Sequence, residues 1–380
     1  MAEVRKRKRS QKAGKGKIDI TFLSLVLILL TIGLVMLFSA SYAYSLEYYS
    51  SSYKFISRQA LLGGVGIVFM LIISRIDYHV WKNFAWIVYA VSIILLLIVK
   101  IAPPMVEGMS VKRWFVIGPI NFQPSEIAKF AVVLLFSTFI AGKYKEMNKF
   151  STIGTLLILL AIPCGLIVVE PHLSATILVF CIGAVLMIVG GLPKLYIAGG
   201  FLAGVAGVVA LIFGGAVGYG SDRIKYWLDP WADASGLGFQ TIQSLLAIGS
   251  GGILGRGIGQ SRQKYLWVPE PHNDFIFSIV CEELGLIGAL LIILLFCLLL
   301  WRGFTIAMHA GDKFGSLLAI GLTFQVALQA MLNIWVVTNT IPNTGISLPF
   351  FSYGGTSLFI LLCEMGIVLS VSRGANIEKT

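Results

Sequence analysis

Residues 236–283 read GLGFQTIQSLLAIGSGGILGRGIGQSRQKYLWVPEPHNDFIFSIVCEE, and this stretch decides how the rest of the chain is interpreted. It holds the densest group of polar and charged residues in a largely apolar sequence. Asp274 leads directly into the apolar run 275–280, which begins a membrane-crossing helix. A carboxylate at the mouth of such a helix, behind a segment rich in Gly, Gln and basic residues, predicts a reactive site at the membrane surface.

On both sides of this stretch the sequence consists of apolar blocks. Of the 380 residues, 57% are hydrophobic and 12% are charged. The blocks are continuous and about 20 residues long, the length that a helix needs to cross a bilayer. We therefore predict an all-α polytopic membrane protein. Ten spans are predicted, at about 20–42, 56–74, 84–100, 124–142, 152–169, 173–190, 195–214, 275–300, 315–337 and 349–371.

The basic N-terminus predicts the orientation of these spans. Eight of the 29 Lys and Arg residues precede the first span, and such residues stay on the cytoplasmic side. Ten crossings return the C-terminus to that side. We thus expect a cytoplasmic tail at 1–18, a ten-span domain at 19–372 with a long extracytoplasmic loop at 215–274 between spans 7 and 8, and a cytoplasmic tail at 373–380. The first apolar run is longer than the h-region of a signal peptide, so a retained anchor is expected.

The net charge of +11 does not indicate a nucleic-acid-binding protein, because no recognisable nucleic-acid-binding module accompanies it. The basic segment before the first span is instead expected to contact anionic lipids. The five cysteines all fall inside apolar runs and lack paired spacing. Neither disulfides nor a zinc or haem site is predicted from them.

Asp274 is the first candidate for chemistry. It can act as a general base whose pKa is raised by partial desolvation, or it can cap the N-terminus of span 8, as can Asn273. Glu270, His272 and Asp274 alternate, so in an extended segment they would point the same way. Together they form a weak candidate site for a divalent cation such as Mg²⁺ or Mn²⁺.

Several basic residues near the predicted outer surface could bind an anionic substrate, since Lys and Arg suit phosphate oxygens. They are Lys112, Arg113 and Lys129, joined from the long loop by Arg256, Arg262 and Lys264. An ion pair between Glu126 and Lys129, three residues apart on one helix face, is the alternative for that position.

Polar residues also occur inside the predicted spans. Glu282, Glu283 and Glu364 mark either functional sites or structural pairs between helices. Gln325, Gln329 and Asn333 form a stripe that favours hydrogen bonds between helices. Residues 343–357 predict a non-helical start to span 10, which at membrane depth must line a cavity or be buried in protein. From the residues alone, an enzyme acting on a lipid-linked or phosphorylated substrate and a transporter both fit.

Three long motifs resemble the SEDS family (shape, elongation, division and sporulation), which includes the FtsW, RodA and SpoVE proteins. They are RWFVIGPINFQPSEIAK at 113–129, GFQTIQSLLAIGSGGILGRGIGQSRQKYLWVPEPHNDFIF at 238–277, and NTGISLPFFSYGGTS at 343–357. The resemblance covers nearly the whole chain and is nearer to the FtsW and SpoVE branch. It implies a bacterial plasma-membrane glycosyltransferase that polymerises lipid II for division or sporulation, working with a class B penicillin-binding protein and other membrane proteins of that machinery.

The resemblance also assigns residues. The family's essential aspartate falls on Asp274, and its basic and polar residues before span 4 fall on Lys112, Arg113, Gln123, Glu126 and Lys129. Further substrate-binding candidates are Glu170, Gln243, Glu270, His272 and Ser352. One position departs from the family, because His172 stands where the family usually has Asp. A lipid II flippase, with a route along the glutamates inside the membrane, and a non-catalytic division scaffold are the rival hypotheses.

Overall fold

The computed structural model describes residues 16–101, 113–117, 120–170, 172–200, 225–236 and 238–375. Its helices are α1 (Ile20–Tyr49), α2 (Lys54–Arg75), α3 (His79–Ile101), α4 (Pro124–Gly142), α5 (Phe150–Val169), α6 (Leu173–Val189), α7 (Phe239–Gly251), α8 (Ile276–Met308), α9 (Lys313–Val337) and α10 (Gly355–Gly374). Short 3₁₀ helices lie at Tyr144–Glu146 and Pro230–Asp233. Strands β1 (Phe115–Ile117) and β2 (Ile120–Phe122) form an antiparallel hairpin.

The helical membrane architecture is confirmed. Eight of the described helices are long and apolar enough to cross a bilayer, and the 17 residues of α6 are a shorter apolar helix. Predicted span 7 begins with helical residues at 194–200, and the rest of it lies outside the described residues. Residues 215–224, at the start of the predicted long loop, also lie outside the described residues. The count of ten spans and the extracytoplasmic position of that loop therefore stay predictions.

The central and peripheral helices differ in how much of their surface other helices cover. In the most apolar windows of α4, α9 and α10, 61%, 67% and 61% of residues are buried, against 28% in α2, α3 and α8. The exposed residues of the second group are largely apolar, as expected for lipid-facing surfaces. The polar residues of the candidate site are thus carried mainly by the central helices.

The first and last described helices meet at one end of the bundle. The backbone N–H of Asp19 donates to Ser372 Oγ at 3.1 Å, and Arg373 Nε donates to the carbonyl of Gly16 at 3.2 Å. Asp19 also caps α1 and forms an ion pair with Arg302 at 2.8 Å. We call this the tail end of the bundle, and the opposite end, which carries Asp274, the loop end.

Span 10 begins later than the sequence predicts. Its helix starts at Gly355, whereas the prediction placed the start at residue 349. Residues 343–354 are irregular, as the motif indicates, and Phe350 has a positive φ of 68°. The carbonyl oxygen of Phe350 lies 2.3 Å from the position that a Cβ on Gly33 would take, so α1 accommodates this backbone only because residue 33 is glycine.

Two helices extend beyond the thickness of a bilayer. The 30 residues of α1 and the 33 of α8 correspond to about 45 and 50 Å of helix, against roughly 30 Å of hydrocarbon. Around the loop-end part of α8 pack α7 and the glycine-rich segment after it. The sequence predicts a short helix at 239–248, and α7 continues to Gly251, where the approach of the Cys281 carbonyl leaves no room for a Cβ.

Candidate functional site

Asp274 lies at the loop end, two residues before α8 begins. Its side chain is partly buried, and its Oδ2 lies 3.2 Å from the position that a Cβ on Gly345 would occupy. The capping role predicted for Asn273 or Asp274 is wrong. The N-cap residue is Phe275, without a side-chain cap, and Asn273 Nδ2 instead donates to Glu270 Oε2 at 2.8 Å. The carboxylate of Asp274 is therefore available for another role.

The surroundings of Asp274 favour its protonated form more than water does. Burial and, to a lesser extent, the charge of Glu270 raise the pKa of its carboxyl and the charge of Arg113 lowers it, so that the pKa rises from 3.8 to about 6 in all. A carboxyl whose pKa lies close to neutral can accept a proton from a substrate and later release it. This geometry and charge make Asp274 a plausible general base.

The backbone on each side of Asp274 is held by the irregular segment before α10. Ser352 Oγ donates to the carbonyl of Asn273 at 2.8 Å, and the N–H of Tyr353 donates to the carbonyl of His272 at 2.8 Å. Asn333 Nδ2 donates to the carbonyl of Asp274 at 2.7 Å. Ser352 thus fixes the backbone beside Asp274, and the predicted hydrogen bonding of the α9 stripe is confirmed.

The remaining members of that stripe also bond between elements. Gln325 Nε2 donates to Glu364 Oε2 at 3.0 Å, and Gln329 Nε2 donates to the Ser347 carbonyl at 3.1 Å. Gln59, which the sequence analysis missed, is fully buried and bonds the backbone on both sides of Tyr353. A lone glutamine within the apolar run of span 2 was the available signal.

The proposed cation ligands do not converge. The segment 269–275 is a series of turns and not an extended strand, so the predicted alignment of Glu270, His272 and Asp274 is wrong. The ring of His272 packs between Tyr44 and Phe55, with centroids at 4.9 and 4.3 Å, and burial lowers its pKa to about 4.

Glu270 is exposed and holds Asn273. Within the described ranges, no three His, Cys, Asp or Glu side chains are placed to hold a metal ion. These residues therefore do not fit Mg²⁺ or Mn²⁺.

Lys129 forms the ion pair that its spacing from Glu126 predicts, at 2.9 Å. Its Nζ also donates to Gln329 Oε1 at 3.0 Å, and the side chain is buried. Glu126, Gln329 and Ser352 line a small open pocket between α4, α9 and the irregular segment. Ser352 belongs both to this pocket and to the hydrogen bonds that hold the backbone beside Asp274.

Two of the loop cations lie against buried glutamates of α8. Lys264 is buried and pairs with Glu283 at 3.0 Å, and Arg256 Nε lies 3.7 Å from Glu282 Oε1. The expectation that both bind an anionic substrate is therefore not met, because two buried carboxylates hold them. Arg262 is exposed. Lys112 lies outside the described residues.

A second buried polar group lies between the hairpin and α6. Arg113 Nε donates to the Glu170 carbonyl at 3.3 Å, and Gln123 Nε2 lies 3.4 Å from His172 Nδ1. Burial raises the pKa of Glu170 to about 8 and, with the Arg113 charge, lowers that of His172 to about 3. Both side chains are therefore neutral near pH 7. Arg113 links this group electrostatically to Asp274.

The remaining predicted substrate-binding residue, Gln243, lies on the buried face of α7. The charges of Glu270 and Arg113 thus act on Asp274, whereas Glu126 and Ser352 line the pocket and Lys129 pairs with Glu126.

Comparison with known proteins gives a consistent result. The family profile described as "Cell cycle protein", FtsW/RodA/SpoVE, matches residues 20–377. The chain is 39% identical to stage V sporulation protein E of Bacillus subtilis strain 168 over 342 residues, covering 90% of this chain and 93% of that protein. It is 36% identical to a probable peptidoglycan glycosyltransferase FtsW of Geobacter sp. strain M18, covering 90% and 94%.

The fold resembles a chain from a solved structure concerning the coordination of polymerization and crosslinking by a peptidoglycan synthase complex. The TM-score is 0.78 at 28% identity, over 94% of this chain and 98% of that one. The family profile spans all three motifs and helices α1 to α10, so the chain is a multi-pass bacterial membrane protein. It belongs to the FtsW/RodA/SpoVE family.

Proposed function

We propose that this protein is a peptidoglycan glycosyltransferase that polymerises lipid II into glycan strands at the outer face of the plasma membrane. The observation that carries the proposal is Asp274, a partly buried carboxylate at the loop end whose pKa is raised to about 6. The relatives named FtsW support the reaction class. The sequence similarity to stage V sporulation protein E supports a role in septum or spore synthesis.

In the proposed reaction, the Asp274 carboxylate takes the proton from the C4 hydroxyl of the acceptor's GlcNAc. That oxygen forms a bond to the anomeric carbon of the donor's MurNAc from the face opposite the leaving group. The bond from this carbon to the diphosphate oxygen breaks, and undecaprenyl diphosphate leaves with the electron pair. Configuration at the anomeric carbon is therefore inverted. The proton on Asp274 is released to solvent before the next turnover.

Arg113 is the described cation that acts on Asp274, and it would stabilise the negative charge that develops on the diphosphate. Lys112 precedes it in the chain and remains a candidate for the same role. Lys129 is less suited to contact the diphosphate directly, because Glu126 and Gln329 already hold its ammonium group. Its contribution is to hold Glu126 and Gln329, two residues that line the pocket.

The partner proposed for this chain is a class B penicillin-binding protein, which would crosslink the strands that this protein makes. The structural similarity to a chain from work on a peptidoglycan synthase complex supports this proposal. Exposed apolar surfaces of α8 are compatible with either lipid or a partner's transmembrane helix.

The test is polymerisation of purified lipid II by the purified protein with its partner, with the transpeptidase inhibited and glycan strands resolved on gels. Asp274→Asn should abolish strand formation and leave the protein monodisperse and bound to its partner. Glu47→Gln, an exposed carboxylate near the end of α1, is the matched control and should retain activity. A chelator arm tests for a divalent cation. Strand formation by Asp274→Asn would refute the assignment of the base.

The flippase hypothesis is disfavoured by the positions of two of its glutamates. Glu282 and Glu283 are fully buried and bonded to the loop, so they do not line an open route. A flippase would move lipid II across liposomes and tolerate Asp274→Asn. A scaffold would bind its partner without strand formation by the unmodified protein.

A further inference from the structure

The glycine-rich segment after α7 enters a break in helix α8. Gly285 has φ 68° and ψ −170°, which interrupts α8 nine residues after it begins. In a regular helix the N–H groups of Leu286 and Ile287 would donate to the carbonyls of Glu282 and Glu283. Here the loop provides the partners of all four groups.

The backbone bonds form two matched pairs. Leu286 N–H donates to the carbonyl of Gly252 at 2.9 Å and Ile287 N–H to that of Ile253 at 3.2 Å. In return, the carbonyl of Glu282 accepts from Arg256 N–H at 3.0 Å, and that of Glu283 accepts from Gly257 N–H at 2.9 Å. We call this interleaving of residues 252–257 with residues 282–287 the splice.

Glycine is required on both sides of the splice. A Cβ on Gly285 would lie 2.2 Å from the N atom of Gly255, and a Cβ on Gly255 would lie 2.3 Å from the carbonyl oxygen of Glu283. Both residues also have positive φ, of 68° and 79°, which side-chain-bearing residues rarely adopt. The two backbones are therefore in direct contact, and an alanine at either position is incompatible with this contact.

The side chains of the two glutamates hold the next part of the loop. Glu282 accepts from Ser261 Oγ at 2.5 Å and from the N–H of Arg262 at 3.0 Å. Glu283 accepts from Lys264 Nζ at 3.0 Å and from Ser39 Oγ of α1 at 2.6 Å. Buried carboxylates are costly unless they are paired and hydrogen-bonded in this way. Both groups are fully used in fixing the loop to α8 and α1.

The splice closes a ring of chain that contains Asp274. One arm of the ring is the loop-end part of α8, from residue 276 to the splice, and the other is the segment 264–274. The two arms meet at Asp274, where Asn333 holds the backbone. We propose that the splice is the positioning element of the catalytic site: by closing both arms, it fixes the place of Asp274 relative to the substrate.

In this proposal Gly285, Gly255, Glu283 and Lys264 are positioning residues that act through Asp274 and touch no substrate. The proposal rests on the proposed function, because it assigns Asp274 as the reacting group. It predicts that a protein without the splice folds and binds substrate but turns over slowly. A displacement of a reacting group by about 1 Å lowers the rate on the order of 100-fold.

The splice itself can be detected by a cysteine pair, Ile253→Cys with Ile287→Cys, in a background in which the five native cysteines are replaced. The backbone bond between these residues brings them close enough for a disulfide to form on oxidation. Crosslinking is read by protection from a thiol-reactive polymer. The pair should crosslink, and the oxidised protein should keep its turnover, since the disulfide holds the arrangement that is already present.

Gly285→Ala is then introduced into this background. We expect loss of the crosslink, retention of a monodisperse protein, a fall in kcat on the order of 100-fold and little change in KM. Gly249→Ala is the matched control, since a Cβ there meets no atom within 4 Å, and it should crosslink and turn over normally. If Gly285→Ala aggregates, Lys264→Met serves as the second variant, with the same expected split between kcat and KM.

Normal turnover by a folded variant that no longer crosslinks would overturn the proposal, and so would failure of the cysteine pair to crosslink when residue 285 is still glycine. Loss of turnover on oxidation would overturn it as well, because the splice would then have to open. If the protein with the cysteine pair and Gly285 intact crosslinks but makes no glycan, the proposed function is refuted instead. The crosslink is measured without substrate, so the two failures are distinguishable.

Discussion

Replacing the Asp274 carboxylate should stabilise the protein while abolishing its activity. In the folded protein the pKa of this group is raised from 3.8 to about 6, so the folded state binds the proton more tightly than the unfolded state. Stability is therefore lost as pH rises between these two values and stays lost above them. The rise corresponds to at most about 3 kcal/mol at 1.36 kcal/mol per pKa unit. Asp274→Asn removes the ionisation and with it this penalty.

Thermal unfolding in detergent, followed by tryptophan fluorescence, measures the effect. At pH 7.5 the Asp274→Asn variant should unfold roughly 2–4 °C above the unsubstituted protein, and at pH 4 the two should nearly coincide. Glu47→Gln, on an exposed side chain, should not shift the transition at either pH. If the Asn variant gains no stability between pH 4 and 7.5, the carboxylate is not desolvated and the reasoning from burial is refuted.

Three further predictions use other parts of the structure. The rate of glycan synthesis should rise with pH through about 6, as Asp274 loses its proton. Glu270→Gln should move this rising part of the pH–rate profile to lower pH, because removing the charge of Glu270 lowers the pKa of Asp274. A move to higher pH would contradict this electrostatic account. Glu170→Gln should keep activity at pH 7, because burial raises the pKa of Glu170 to about 8 and leaves its carboxyl protonated. In thermal melts the variant should be more stable than the unsubstituted protein, and the difference should grow from pH 5 to pH 8, because only the unsubstituted protein loses stability as the pH rises. A difference that shrinks would contradict this. Gly33→Ala, whose Cβ would lie 2.3 Å from a carbonyl of the irregular segment before α10, should cost about 1–3 kcal/mol in denaturant titrations, whereas Gly64→Ala, with no atom within 4 Å, should be tolerated.

The span positions could be predicted because apolar length alone determines them. The starts of α1, α4, α6 and α8 agree with the predictions to within one residue. The start of α10 was missed by six residues, because the run from residue 349 is apolar while its backbone is held in an irregular form. Hydropathy reports where a segment is buried but not whether its backbone is helical.

The candidate site was only partly predictable. Asp274 stands out because a carboxylate beside an apolar run is rare, and the spacing of Glu126 and Lys129 was enough to predict their ion pair. The roles of Arg256 and Lys264 were not predictable, because nothing local shows that Glu282 and Glu283 face back toward the loop. Those partners lie 26 and 19 residues away along the chain and meet only in the tertiary structure.

By itself the sequence determined the helical membrane architecture and the family, and it singled out Asp274 as the candidate base, since each depends on local composition or on a continuous motif. The tertiary structure decided which charged side chains are held in buried ion pairs, as Lys264 and Glu283 are. It also decided that α8 is interrupted at Gly285 by another part of the chain. The reason is physical: hydrogen bonds and buried ion pairs depend on distances across the bundle, and no local pattern encodes those distances.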